Sequence, residues 1–275
     1  MRAVLALTVL LTSSGCIDIV GSNIDNRYVE REEKRFQTSA KPEITLRTFD
    51  GSIEIRPWDK PEVEVIIEKR GPNKEAIATL EVDATQSGNK VNVEVKSPRR
   101  QGGLHFGPSA SAKLIVSVPA TSDISARSGD GSIDVERVTG RVDLRSGDGS
   151  IRARDLSGDV SVETGDGSIS MEGAFSGLHA RSGDGSVKIH AGNGSTGASD
   201  WDISTGDGSV TLEIPDGFNA ELDAHTGDGG VHVSGITLSN VTGEIRRNSV
   251  RGRIGSGGRT IRVRTGDGSI TIKGS

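Results

Sequence analysis

From Ile124 onward, apolar residues recur at fixed offsets around a turn that opens with Ser or Thr. Two and four residues before that hydroxyl lie pairs such as Ala126 and Ile124, Leu144 and Val142, Val162 and Val160, Ile203 and Trp201, and Val263 and Ile261. Five and seven residues after it lie Ile133 and Val135, Ile151 and Ala153, Ile169 and Met171, Val210 and Leu212, and Ile270 and Ile272. Strand side chains alternate between faces, so both sets predict strands that bury one face on either side of the turn. Asp134, Glu136, Asp143, Arg145, Arg152 and Glu163 fall between them and are expected to face water.

The turn is Ser-Gly-Asp-Gly-Ser-Ile at 128–133, and its aspartates recur as Asp130, Asp148, Asp166, Asp184, Asp207, Asp228 and Asp267. The first four lie 18 residues apart, the next two follow at 23 and 21, and the last comes after 39. A weaker turn sits mid-repeat at Thr139-Gly140, Ser157-Gly158 and Ser176-Gly177. Each coil is therefore two short strands and two tight turns, and similarity at a fixed period marks a repeat architecture. The pattern predicts an all-β, right-handed parallel β-solenoid, or β-helix, whose successive coils stack about 4.8 Å apart and bury apolar residues only against their neighbours. Aligning Thr242-Gly243-Glu244-Ile245 with Thr139-Gly140-Arg141-Val142 fills the long gap with one more coil. Ile254 then stands opposite Ile151, and Arg251 replaces one aspartate rung. With Lys273-Gly274-Ser275 ending the last coil and no evident cap, an open strand edge there would invite self-association.

Upstream of this solenoid (124–275), residues 41–123 read as an N-terminal β-rich region. Alternation appears at Ile44 and Leu46, at Ile53 and Ile55, at Val63, Val65 and Ile67, at Val91, Val93 and Val95, and at Leu114, Val116 and Val118. One short helix is expected over 73–80, with Asn73 as its cap. Residues 97–111, rich in Pro, Gly, Arg and Ser, form a loop. Residues 17–40 are strongly charged without an apolar stripe and are expected to be a tether.

Residues 1–16 read as an export signal, with Arg2 as a minimal positive start, an apolar run from Ala3 to Leu11, and small residues before Cys16. Cys16 is the sole cysteine, and its place after Ser14-Gly15 resembles a bacterial lipobox, although Ser13 stands where Leu is usual. That resemblance implies acylation of Cys16 and attachment to the membrane through a lipid anchor. A conventional signal with an incidental thiol is the alternative, but a lone thiol on an exported protein favours lipidation. Ile17, in place of an inner-membrane-retaining Asp, points to the outer membrane of a two-membrane bacterium.

Composition narrows the partners. Aromatics make up 3% of the chain while Gly numbers 38, so burial must come from Val, Ile, Leu and Ala in a thin interior. The net charge of −5 mixes 33 basic with 38 acidic residues and leaves no basic face, which argues against nucleic acid as a partner.

Turn chemistry accounts for every position of the motif. Gly129, Gly131 and their equivalents are expected at positive φ, the carboxylates to accept backbone N–H groups, and the Ser or Thr hydroxyls to close the strand ends. Stacked aspartates about 5 Å apart repel. The arginines before the turn (Arg127, Arg145, Arg181, Arg264) or a cation between rungs would offset this. Calcium, an oxygen-seeking ion, suits such a column. The nine-residue half-period also resembles the repeats-in-toxin calcium roll, although Gly-Asp-Gly occurs here once per 18 residues and not twice. Carbohydrate-active enzymes on β-helices need clustered carboxylates or a basic catalyst, whereas these acidic residues are periodic. His105, His179, His190, His225 and His232 read as surface histidines, and Trp201 as core.

Phe49-Asp50-Gly51-Ser52-Ile53-Glu54-Ile55-Arg56-Pro57-Trp58, the strands at 63–69 and 116–119, and the serial Gly-Asp-Gly-Ser turns resemble the bacterial "putative adhesin" family of β-strand-repeat domains of unknown function. The resemblance covers about residues 41–275. It implies a β-helix-like fold, export to the envelope and a role in surface adhesion, with a cell-surface glycan or envelope protein as partner, and it transfers no catalytic residues. A non-catalytic, envelope-anchored adhesin-like or structural protein is the expected function.

Overall fold

The computed structural model describes residues 17–18, 28–97, 110–241 and 247–275, which are strands around one short helix, Lys74–Ala78. Asn73 caps that helix, its side chain accepting from the Ala76 N–H at 2.8 Å. The two-residue alternation is realised throughout the repeats. In Thr139–Ser146, Val142 and Leu144 are fully buried while Asp143 and Arg145, which alternate with them, are not.

Each coil, named here by its turn aspartate, contributes one strand to each of two parallel walls. One wall stacks Val91, Ile44, Ile124, Val142, Val160, Leu178, Trp201, Ile261 and Leu222 in direct register. The other stacks Leu114, Ile53, Ile133, Ile151, Ile169, Val187, Val210, Ile270 and Val231. Between the walls lies one continuous apolar core. Each fully buried Ile or Val there stabilises the fold by roughly 1.5–3 kcal/mol relative to exposure.

A third buried row, Val138, Leu156 and Phe175, fills the weaker corner. The chain bends there through Arg137 (φ 52°) and Asp155 (φ 54°), both in the left-handed region. Phe175 meets Trp201 edge-on at 6.2 Å, and Trp201 packs on Phe218 at 4.9 Å. These aromatics fill the core where the insertion before Trp201 lengthens the repeat.

Stacking order departs from chain order at both ends. The Asp267 coil (Thr260–Thr265 and Ile270–Gly274) lies between the Asp207 coil and the Asp228 coil, paired to both on both walls. The expected open edge at 273–275 is therefore interior to the stack. Among the described residues, no extra coil occupies the gap before it. Ser249–Ile254 instead runs antiparallel to Ala220–Thr226 and covers that end, with Leu238–Ser239 antiparallel beyond it. The alignment that placed a rung at Arg251 fails because this segment reverses direction. Its first residues, Thr242 to Ile245, lie outside the described residues.

At the other end, the Asp50 coil (Glu43–Thr48 and Ile53–Trp58) stacks directly on the Asp130 coil, so the expected boundary at 123/124 does not interrupt the ladder. Outside it lie Lys90–Lys96 and Ser111–Pro119, each covered by antiparallel strands, Glu81–Ser87 and Glu62–Gly71. Tyr28–Gln37, expected within a tether, is a ten-residue strand antiparallel to Glu62–Gly71. Its charges have partners across the pair. Arg31 contacts Glu68 at 2.7 Å and Arg35 contacts Glu64 at 2.7 Å, while Phe36 is buried. Burial alone would raise the Glu68 carboxyl, but Arg70 and Arg31 hold it below its ordinary range.

The insertion of the last coil is checked by disulfide trapping. In a Cys16→Ser background, Asp202→Cys with Arg262→Cys forms an intramolecular bond, since these residues are register partners on adjacent strands. Asp202→Cys with Asp223→Cys, neighbours only under sequential stacking, does not.

Candidate functional site

The repeated turn is the one constellation that pattern alone singled out, and its parts have distinct tasks. The Ser or Thr that opens it is buried at every rung from Thr48 to Thr265. Each hydroxyl donates to a backbone carbonyl of the neighbouring coil. Ser128 reaches Gly51 at 2.9 Å, Ser146 reaches Gly131 at 2.9 Å, Ser182 reaches Gly167 at 2.8 Å, Thr265 reaches Gly208 at 2.7 Å and Thr226 reaches Gly268 at 2.7 Å. Within the turn, the N–H of the second glycine donates back to the hydroxyl, as Gly149 does to Ser146 at 3.0 Å. The hydroxyls thus join coils as well as closing strand ends.

The glycines serve close approach at every rung, and of those in the turns only Gly51 (φ 128°) and Gly229 (φ 152°) take the expected positive φ. Gly129, Gly131, Gly147 and Gly149 lie outside the left-handed region. A Cβ on Gly149 would fall 2.2 Å from the Gly131 carbonyl oxygen, and one on Gly131 would fall 2.0 Å from that of Gly51. Stacked turns touch backbone to backbone, and only Gly leaves room.

In the order of the stack the turn aspartates are Asp50, Asp130, Asp148, Asp166, Asp184, Asp207, Asp267 and Asp228. Asp50, in the Asp-Gly-Ser-Ile stretch at 50–53, is the rung that the spacing argument left out. All but the half-buried Asp50 are exposed. Among the described residues, the carboxylates of Asp130, Asp148, Asp166, Asp184 and Asp207 accept no backbone N–H and form no ion pair, contrary to the expected turn bonding. Burial, together with the neighbouring Asp130 charge, pushes the Asp50 carboxyl above its ordinary range.

The arginines before the turn do not neutralise this column. Arg145 holds Asp143 at 3.1 Å and Glu163 at 3.5 Å, and Arg127 lies 3.9 Å from Asp143. Arg264 holds Asp223 at 2.6 Å. Those partners stand on the outward face of the wall, two residues from the arginine or one coil away. Arg251 belongs to the covering strand and contacts the same Asp223 at 3.0 Å. Burial would raise the Asp223 carboxyl, yet the two guanidinium groups hold it low.

The other candidates are dispersed. His190 lies 3.4 Å from Glu213 and His179 lies 3.6 Å from Glu163, while His225 and His232 are exposed. Trp201 is buried in the core as expected. Cys16 and His105 lie outside the described residues. Among the described residues, no three His, Cys, Asp or Glu side chains gather at metal-binding distance.

The family model described as Toastrack DUF4097 matches residues 41–197 and, in a second overlapping match, 159–273. This agrees with the resemblance carried by the turns. No curated protein matches the sequence. Among solved structures, a protein described as a putative adhesin from Bacteroides fragilis is 13% identical, with 88% of this chain and 96% of that one covered and a TM-score of 0.47. One described as a putative cell adhesion protein from Clostridium sporogenes is 14% identical over 96% of this chain and all of its own, with a TM-score of 0.39. A third, described as a putative lipid binding protein from Parabacteroides distasonis, is 12% identical over 88% of this chain and 96% of its own, with a TM-score of 0.24.

Two substitutions check the roles of the turn. Gly149→Ala lowers stability by about 1–3 kcal/mol through overpacking, whereas Gly192→Ala, whose Cβ would meet its nearest atom at 3.5 Å, changes it little in the same denaturant titration. Asp50→Asn raises Tm at neutral pH. A carboxyl with a raised folded-state pKa lowers stability as pH rises through its range, so the gain vanishes below the carboxylate range.

Proposed function

Since the chain belongs to the Toastrack DUF4097 family, we propose that it is a non-catalytic protein of the bacterial surface, held by a lipid on Cys16 and presenting its walls for adhesion or for spacing. The observation that carries this reading is the repetition of side-chain roles. Hydroxyls and glycines do the same work at rung after rung, joining one coil to the next. Residues used identically along a stack build an extended surface, whereas a catalytic centre needs a unique convergence of groups. The outward rows are charged and laced with ion pairs, which keeps a long β wall soluble and unpaired with its own kind.

Among the described residues, no helix is long and apolar enough to cross a membrane. The anchor in this reading is the acyl group on Cys16, and the outer membrane is its destination on the strength of Ile17. The charged strand Tyr28–Gln37 begins twelve residues after that cysteine. Little chain would then separate the anchor from the folded stack.

Metabolic labelling with radioactive palmitate in the native host checks the anchor. The wild-type chain incorporates label and sediments with membranes, and Cys16→Ala loses both properties. Label that survives Cys16→Ala overturns the lipid-anchored reading.

A further inference from the structure

The repeat breaks its own rule at one rung. After the hydroxyl, the turns at Asp130, Asp148 and Asp166 carry Gly129, Gly147 and Gly165, whereas the Asp50 turn carries Phe49. Phe49 is half-buried against the core, and it lines an open depression of about 370 Å³ together with Arg47, Glu94, Lys96 and Arg127. This is a local feature of the end of the stack and owes nothing to the aspartate column.

The charges around it are unevenly matched. Arg47 stands in register between Glu94 and Arg127 on the outward face. Glu94 is engaged by Lys96 at 3.3 Å. Among the described residues Arg47 has no carboxylate within ion-pair distance, and Arg127 reaches Asp143 only at 3.9 Å. Two guanidinium groups on adjacent strands, about 4.8 Å apart at the backbone, repel each other. An oxyanion between them relieves that repulsion and accepts paired N–H bonds from each planar fork.

We propose that this depression binds an acidic polysaccharide, one bearing carboxylate or sulfate groups. Three features select that class. The arginine row runs across the strands, so an extended polyanion meets Arg47 and Arg127 in succession. The Phe49 ring supplies an apolar surface beside them for the face of a sugar ring. The depression is open, as suits a segment of a linear chain better than an enclosed small molecule. The inference gives the surface-adhesion reading a partner and rests on that reading for its biological use alone.

The test titrates the detergent-solubilised full-length protein with an oligogalacturonate, a sulfated oligosaccharide, a neutral glucan of equal length, inorganic phosphate and anionic phospholipid vesicles, read by calorimetry. The acidic oligosaccharides bind, and the neutral glucan and phosphate do not. Arg47→Ala with Arg127→Ala weakens the binding at least about tenfold without a change in Tm, Phe49→Ala also weakens it, and Arg152→Ala on the opposite wall leaves it intact. Equal binding by phosphate, stronger binding by the vesicles, or full binding by the double variant overturns the proposal. Adherence of cells bearing each variant separates the two ideas. A wild-type chain that binds acidic sugars but supports no adherence counts against the adhesion reading alone, and adherence without sugar binding counts against the site.

Discussion

Backbone contact between stacked turns is the constraint on which the molecule depends. The strands can follow their parallel register only if each turn settles directly on the one before it. At that spacing a Cβ at the second turn glycine would lie 2.0–2.5 Å from the neighbouring carbonyl oxygen from rung to rung. Glycine removes the obstruction, and the Ser or Thr hydroxyl bonds to the carbonyl that the approach brings near. The apolar ladders follow, because register at the turn fixes register along both walls. A core poor in aromatics suffices because every Ile or Val rests on its equivalent above and below.

A stack built this way has two ends, each exposing unpaired backbone. Antiparallel strands cover Ala220–Thr226 at one end, through Ser249–Ile254, and both walls at the other, through Glu81–Ser87 and Glu62–Gly71. The chain also draws the Asp267 coil inward, so that Ile270–Gly274 is paired on both sides. Asp223 links the two solutions, since it holds Arg264 of the inserted coil and Arg251 of the covering strand at once. At the other end, the charged strand Tyr28–Gln37, whose outer side is paired among the described residues only with Ile17–Asp18, is tolerated there because its glutamates and arginines alternate against those of Glu62–Gly71.

Electrostatics follows exposure. The turn aspartates at the exposed rungs stand in water, whose high dielectric holds the repulsion between neighbouring like charges to about 1 kcal/mol. Asp50 is half-buried, and there the neighbouring charge is felt. Arg145 and Arg264, which the pattern suggested as partners of the aspartate column, are engaged on the outward rows instead. Arg47 stands in one such row, between Glu94 and Arg127, next but one in sequence to Phe49, where the other rungs carry glycine.

The solenoid, the inward rows, the core position of Trp201 and the capped helix were legible from the sequence, because a two-residue alternation locked to a recurrent turn leaves one way to bury apolar side chains. The hydroxyl ladder was half legible: the pattern showed that each hydroxyl closes a strand end, but its bond to the next coil exists only once coils stack. Three things were settled by the tertiary structure. Strand order at the ends is set by which coil edges remain unpaired, and Asp267 carries the same local signal whether it lies last or inside. The partner of a charged segment such as Tyr28–Gln37 lies more than twenty residues away, so its lack of an apolar stripe read as a tether. Glycine at the turn spoke for an unusual backbone when read alone, and only the neighbouring coil revealed that what it supplies is space.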